Sequence, residues 1–101
     1  STASVLNGSS TINFDSGNLQ YTSANCGAFA LHNLKNGGVY SFVVRGTSAA
    51  TCSFTAFSDS GSTALTVKMP PGHGATIATR MTLYTFMVIN TEVFISWVPG
   101  Y

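Results

Sequence analysis

The sequence predicts an all-β domain, an antiparallel β-sandwich or jelly roll, and three observations lead there. Apolar residues recur with period two rather than with helical spacing. Turn residues return at roughly 8–13 residue intervals, the spacing of short strands in a sandwich. Charged residues make up 7% of the chain, against roughly 25% in an average soluble domain. Ser and Thr take their place, at about a quarter of the chain, a composition that suits strands. At 101 residues one core is expected, so residues 1–101 form a single domain.

Taken in order, the first ambiguous stretch is GAFALHNL, residues 27–34, which allows two helical turns or a strand between Gly27 and the Asn36-Gly37-Gly38 turn. In VYSFVVR, residues 39–45, Tyr40, Phe42 and Val44 share one face. Gly46-Thr47-Ser48 closes that strand, and CSFTAF, residues 52–57, reads as the next. Ser58-Asp59-Ser60-Gly61 and Pro70-Pro71-Gly72-His73-Gly74 mark further turns. In TLYTFMVI, residues 82–89, Tyr84, Phe86 and Val88 share a face while Leu83, Met87 and Ile89 line the other. EVFISWV, residues 92–98, sets Val93, Ile95 and Trp97 against Phe94 and Val98. Both strands are apolar on both sides, as strands covered on both faces are. Asn90-Thr91 joins them as a tight hairpin, since Asn tolerates left-handed backbone. YSFVV at 40–44 and YTFMV at 84–88 echo each other, which suggests two hairpins facing across a sandwich. Trp97 is expected to be largely buried, because it shares a face with Val93 and Ile95.

The formal net charge of +1 excludes electrostatic capture of nucleic acid, which needs clustered Lys and Arg. No run reaches the roughly 18 apolar residues of a membrane helix, and membrane insertion is not expected. With so little charge to hydrate a surface, part of that surface is expected to lie against other copies of the chain. Cys26 and Cys52 flank apolar stretches, which favours two buried free thiols. If they paired instead, the closed loop would add about 3 kcal/mol. Asn7-Gly8-Ser9 fits a glycosylation sequon.

No metal, cofactor or catalytic group is expected. His32 and His73 have no second ligand at metal-binding spacing, and His32 inside its apolar run reads as structural. His73, between glycines in PPGHG, reads as a loop residue reaching outward. The serines lack a G-x-S-x-G elbow, and the three acidic residues are too scattered to suggest a glycosidase pair.

NFDSGNLQY at 13–21, GAFALHNLKNGGVYSFVVRGT at 27–47, CSFTAF, PPGHG and the ending YTFMVINTEVFISWVPGY together resemble the C-terminal tip domain of phage tail fibres. Similar domains end the trimeric fibre adhesins of bacteria. The resemblance covers nearly the whole chain, and its most specific parts are the terminal LYTF…WVPGY and the NLKNGGVYSFVVRGT stretch. It implies a jelly-roll/TNF-like β-sandwich, closely packed or intertwined as a homotrimer, at the extracellular, virion-borne or cell-surface tip of a longer fibre protein. It further implies recognition of a cell-surface receptor, a glycan, through exposed loops, with a trimerisation and folding cap lacking any ligand site as the alternative. One face of the terminal strands then fills the core and the other meets neighbouring subunits, which makes Tyr84, Phe86, Met87, Phe94, Trp97 and Tyr101 the expected core and trimer-interface residues. The ligand contacts expected on chemical grounds are Asp59, His73 and Arg80 as polar partners and Tyr21 as a stacking platform.

Overall fold

The computed structural model describes the backbone of residues 4–6 and the whole of residues 10–101, so the Asn7-Gly8-Ser9 sequon lies outside the described residues. The fold is all-β, with no α-helix among the described residues. Its strands are β1 (Ser4–Leu6), β2 (Thr11–Asn13), β3 (Leu19–Thr22), β4 (Ala28–His32), β5 (Val39–Val44), β6 (Ser53–Phe57), β7 (Ala64–Lys68), β8 (Thr82–Ile89) and β9 (Glu92–Val98). A short 3-10 turn, Phe14–Ser16, follows β2.

The strand connectivity is that of a β-solenoid-like coil and not of the expected antiparallel jelly roll. β1, β3 and β5 lie side by side in parallel, and β2, β4 and β6 do the same in a second layer. The chain therefore winds back and forth between two layers. Ser4 lies opposite Gln20, Thr11 opposite Ala30, Leu19 opposite Ser41 and Ala28 opposite Ser53, so each turn of the coil is longer than the one before. Antiparallel pairing enters only afterwards, with β7 on β6 and β8 on β5. β9 then fills the space between β8 and β7. The sheet order β1-β3-β5-β8-β9-β7-β6-β4-β2 thus runs along one layer, curls over at β9 and β7, and returns along the other.

The reason for the difference is physical. Alternation reports which face a side chain takes, never which strand its backbone bonds. Parallel neighbours need a long crossover, and here the strand in the opposite layer serves as that crossover. The YSFVV and YTFMV echo is corrected in the same way. β5 and β8 do not face each other across a sandwich but are bonded neighbours, Tyr40 opposite Phe86 and Phe42 opposite Tyr84. GAFALHNL supplies strand β4, not helix. The β8–β9 link is the tight hairpin, with Asn90 in left-handed backbone at φ 56°.

Inward residues from both layers form one core in which aromatic rings meet mostly edge to face. Phe54 touches Phe29, Phe42, Tyr84 and Phe86, with centroids 4.9–6.4 Å apart, the separations that favour such pairs. Buried Gln20 plugs the turn between β2 and β3, its Nε2 donating to the carbonyls of Gly17 (3.0 Å) and Asn13 (3.3 Å). The expectation of two free thiols is overturned: Cys26 and Cys52 form a disulfide. They immediately precede the parallel neighbours β4 and β6, and that pairing, invisible in the sequence, brings them to one strand end. The bond is compatible with an extracellular protein.

Candidate functional site

The coil has two outer walls and two sets of strand ends. One set, the Asn90 end, gathers residues 14–18, 33–38 and 58–63 with the β8–β9 hairpin. The other, the Pro99 end, gathers residues 23–27, 45–52, 69–81 and 99–101. This follows from strand direction, since β6 and β8 both run towards the Asn90 end.

The four expected ligand contacts do not converge. Asp59 lies at the Asn90 end, where its Oδ1 accepts from the amides of Gly61 (3.1 Å), Ser62 (2.8 Å) and Thr63 (3.0 Å). Hydrogen bonds from Thr63 and Ser62 hold its carboxyl well below the usual carboxylate range. The carboxylate therefore shapes its own loop. Arg80 is exposed at the Pro99 end, and Tyr21 is half-buried on an outer wall beside Val43.

His73 does not reach outward as the glycine-flanked loop suggested. Its ring lies edge-on to Trp97 at 4.8 Å, and its Nε2 is 2.8 Å from the hydroxyl of buried Tyr84. Burial lowers its pKa from the ordinary histidine value and pushes the Tyr84 phenol up to about 12. Pro70-Pro71-Gly72 carries the imidazole back onto the core, the His73 amide donating to Pro70 O at 3.3 Å. Trp97 shares the inward face with Val93 and Ile95 as expected but is half-buried, packed against the core rather than enclosed by it.

Tyr84 and Phe86 are fully buried in the core of the single chain. Met87, Phe94 and Tyr101 are not. Tyr101 is held by its backbone, its amide donating to Met81 O (3.0 Å) and its carbonyl accepting from Met81 N (3.2 Å), while its side chain stays 64% exposed. Gly100 makes that ending possible. Its φ is 86°, and a Cβ there would lie 3.0 Å from Ile77 Cδ1.

Outward side chains give the two walls different surfaces. On the wall of β5, β8 and β9, cross-strand register aligns Val39, Met87 and Phe94 in one ridge and Val43, Leu83 and Val98 in another. Between them runs a low row of Ser41, Thr85 and Ser96. Val39 is 52% exposed, Met87 48%, Phe94 40% and Val98 47%. On the opposite wall the outward positions of β4 and β6 hold Ala28, Ala30, Ser53 and Thr55 above buried Phe29 and Phe54 towards the Pro99 end, and the edge-on pair His32 and Phe57 towards the Asn90 end. With Ser10 the four small side chains line a shallow groove of about 320 Å³. Sequence reading missed this groove. The available signal was that no outward residue at those four positions is larger than Thr.

Charge is sparse on both walls, and on the ridged wall it is confined to Glu92 and its partner Lys68. Asp15, Lys35, Asp59, Arg45 and Arg80 sit in connections at the strand ends, and Lys68 pairs with Glu92 at 3.6 Å beside the ridge of Phe94. Among the described residues no three His, Cys, Asp or Glu side chains come together as a metal-binding group, and no helix is long and apolar enough to cross a membrane. No family model, curated protein or solved structure matches the chain.

Proposed function

We propose that this chain is the receptor-recognition tip of a homotrimeric fibre, displayed on a virion or cell surface. In this reading it assembles through the outer wall of β5, β8 and β9 and contacts a cell-surface glycan through exposed connections. The observation that carries it is the run of outward apolar side chains on this wall, Val39, Met87, Phe94, Leu83 and Val98, with the Lys68–Glu92 pair at its margin. Exposed apolar surface of that extent costs solubility unless something covers it. A second copy covers it most economically, because a chain this poor in charge has few other hydrated surfaces. The resemblance to phage fibre tips supplies the threefold symmetry and the receptor.

The alternative, a trimerisation and folding cap with no ligand site, is favoured by a separate observation. Asp59 spends its carboxylate on amides of its own loop, and His73 spends its Nε2 on the hydroxyl of buried Tyr84. Two measurements separate the readings. Light scattering at micromolar concentration is expected to give a trimer mass, and a monomer there removes both. A glycan array probed with the trimer is expected to show one reproducible class of surface glycan. A trimer that binds no glycan and no host cell leaves only the cap.

A further inference from the structure

A closed ring of three identical chains needs two different surfaces on each chain that fit one another, because a threefold contact joins unlike patches. The two outer walls supply such a pair. One carries raised ridges; the other, towards the Pro99 end, is cut back to Ala, Ser and Thr over a groove of about 320 Å³.

Position selects the ridge. The groove is bounded by Ser10, Ala28 and Ser53, the first residues of β4 and β6 among them, so it lies towards the Pro99 end. The ridge of Val43, Leu83 and Val98 lies towards that same end, since Leu83 is the second residue of β8 and Val98 closes β9. Both patches therefore flank one edge of the two-layer coil. That edge bears apolar side chains among its polar ones, with Ile77 50% and Met81 36% exposed beside Tyr101 and with Arg80 next to Met81 in the chain. Direction agrees as well. Cross-strand rows run perpendicular to the strands, along the coil, so ridge and groove extend in the same direction and can form a continuous seam between parallel copies.

Resting on the trimeric reading above, we propose that the Val43–Leu83–Val98 ridge of one copy lies in the Ala28–Ala30–Ser53–Thr55 groove of the next, with the edge bearing Ile77, Met81 and Tyr101 turned towards the threefold axis. The occupant of the groove is thus a second copy of this chain and not a small ligand.

Photocrosslinking tests the contact in the full chain. Benzoylphenylalanine placed at Val98, in a mixture of isotopically light and heavy copies, is expected to attach between chains to residues 28–31 or 53–56. In parallel, Ala30→Arg and Thr55→Arg are expected to weaken trimer formation at least tenfold, while Ser62→Arg in the β6–β7 loop leaves it unchanged. Crosslinks to residues 39–43 or 83–89 of another copy, or an Ala30→Arg chain that trimerises normally, would overturn the ridge-in-groove contact and leave the trimer standing. A wild-type chain that stays monomeric overturns the trimer and this contact together.

Discussion

The two walls of the coil enclose the same core with the same alternation, yet they are built differently. The wall carrying the ridges rests on long antiparallel ladders, Val39–Val44 against Thr82–Met87 and Leu83–Ile89 against Glu92–Val98. The grooved wall is parallel throughout β2, β4 and β6, with shorter ladders, and a disulfide joins the segments entering two of its strands. Parallel pairing is slightly weaker per residue. The staple thus falls on a short parallel stretch, one of two in the coil, and the bulky outward residues fall on the long antiparallel ladders. Outward bulk on the ridged wall is therefore not explained by the stability of the single chain.

The largest expected effect removes what the two walls share. Phe54 stands on the grooved wall and touches Phe42, Tyr84 and Phe86 of the other. Phe54→Ala should cost about 3–5 kcal/mol, as truncation of a buried aromatic does. Chemical denaturation measures it, and a loss near zero would mean that the walls do not depend on a common core.

Next comes the staple. Replacing both cysteines, Cys26→Ser with Cys52→Ser, should cost about 3 kcal/mol through the freed loop of the unfolded chain. Hydrogen exchange should then speed up in β4 and β6 more than in β8 and β9. Uniform acceleration across both walls would remove the contrast between them.

A smaller effect is expected from pH. Burial depresses the pKa of His73 in the folded chain, so the unfolded chain binds the proton more readily as pH falls through the ordinary histidine value near 6.5. Stability is therefore full above that value and declines below it, until the folded-state pKa is passed. The melting temperature should fall between pH 7 and pH 5, and His73→Gln should flatten that slope. An unchanged slope in the variant would assign the titration to another group.

The smallest effect on the single chain is expected on the ridged wall. Met87→Ser and Phe94→Ser should each change monomer stability by no more than about 0.5 kcal/mol, the usual range for surface substitutions, while sedimentation shows weaker self-association. A large loss of stability in dilute solution would mean that these side chains support the wall itself.

Much of the inward pattern was legible before the structure. Phe42 and Val44, Tyr84, Phe86 and Val88, and Val93 and Ile95 take the buried positions that their alternation assigns. The Asn90 hairpin was legible too, because a two-residue turn is a local event and Asn accepts its backbone. The proposed site was much less so. His73 looked like an exposed loop residue because its chain neighbours are Gly and Pro; its actual neighbours, Trp97 and Tyr84, are distant in sequence. Asp59 looked available because nothing in SDSGS says that its carboxylate will accept three amides of its own loop.

What the sequence determined by itself is local: strands instead of helices, the sides those strands bury, the turns between them, and a surface poor in charge. These depend on side-chain period and on single-residue backbone preferences, which neighbours along the chain already set. Only the tertiary structure decided that β1, β3 and β5 pair in parallel, that Cys26 meets Cys52, that Val43, Leu83 and Val98 align into a ridge, and that Ala28, Ala30, Ser53 and Thr55 leave a groove opposite it. Each of these depends on strand register across the coil, and register is fixed by the fit of the whole core rather than by any one segment.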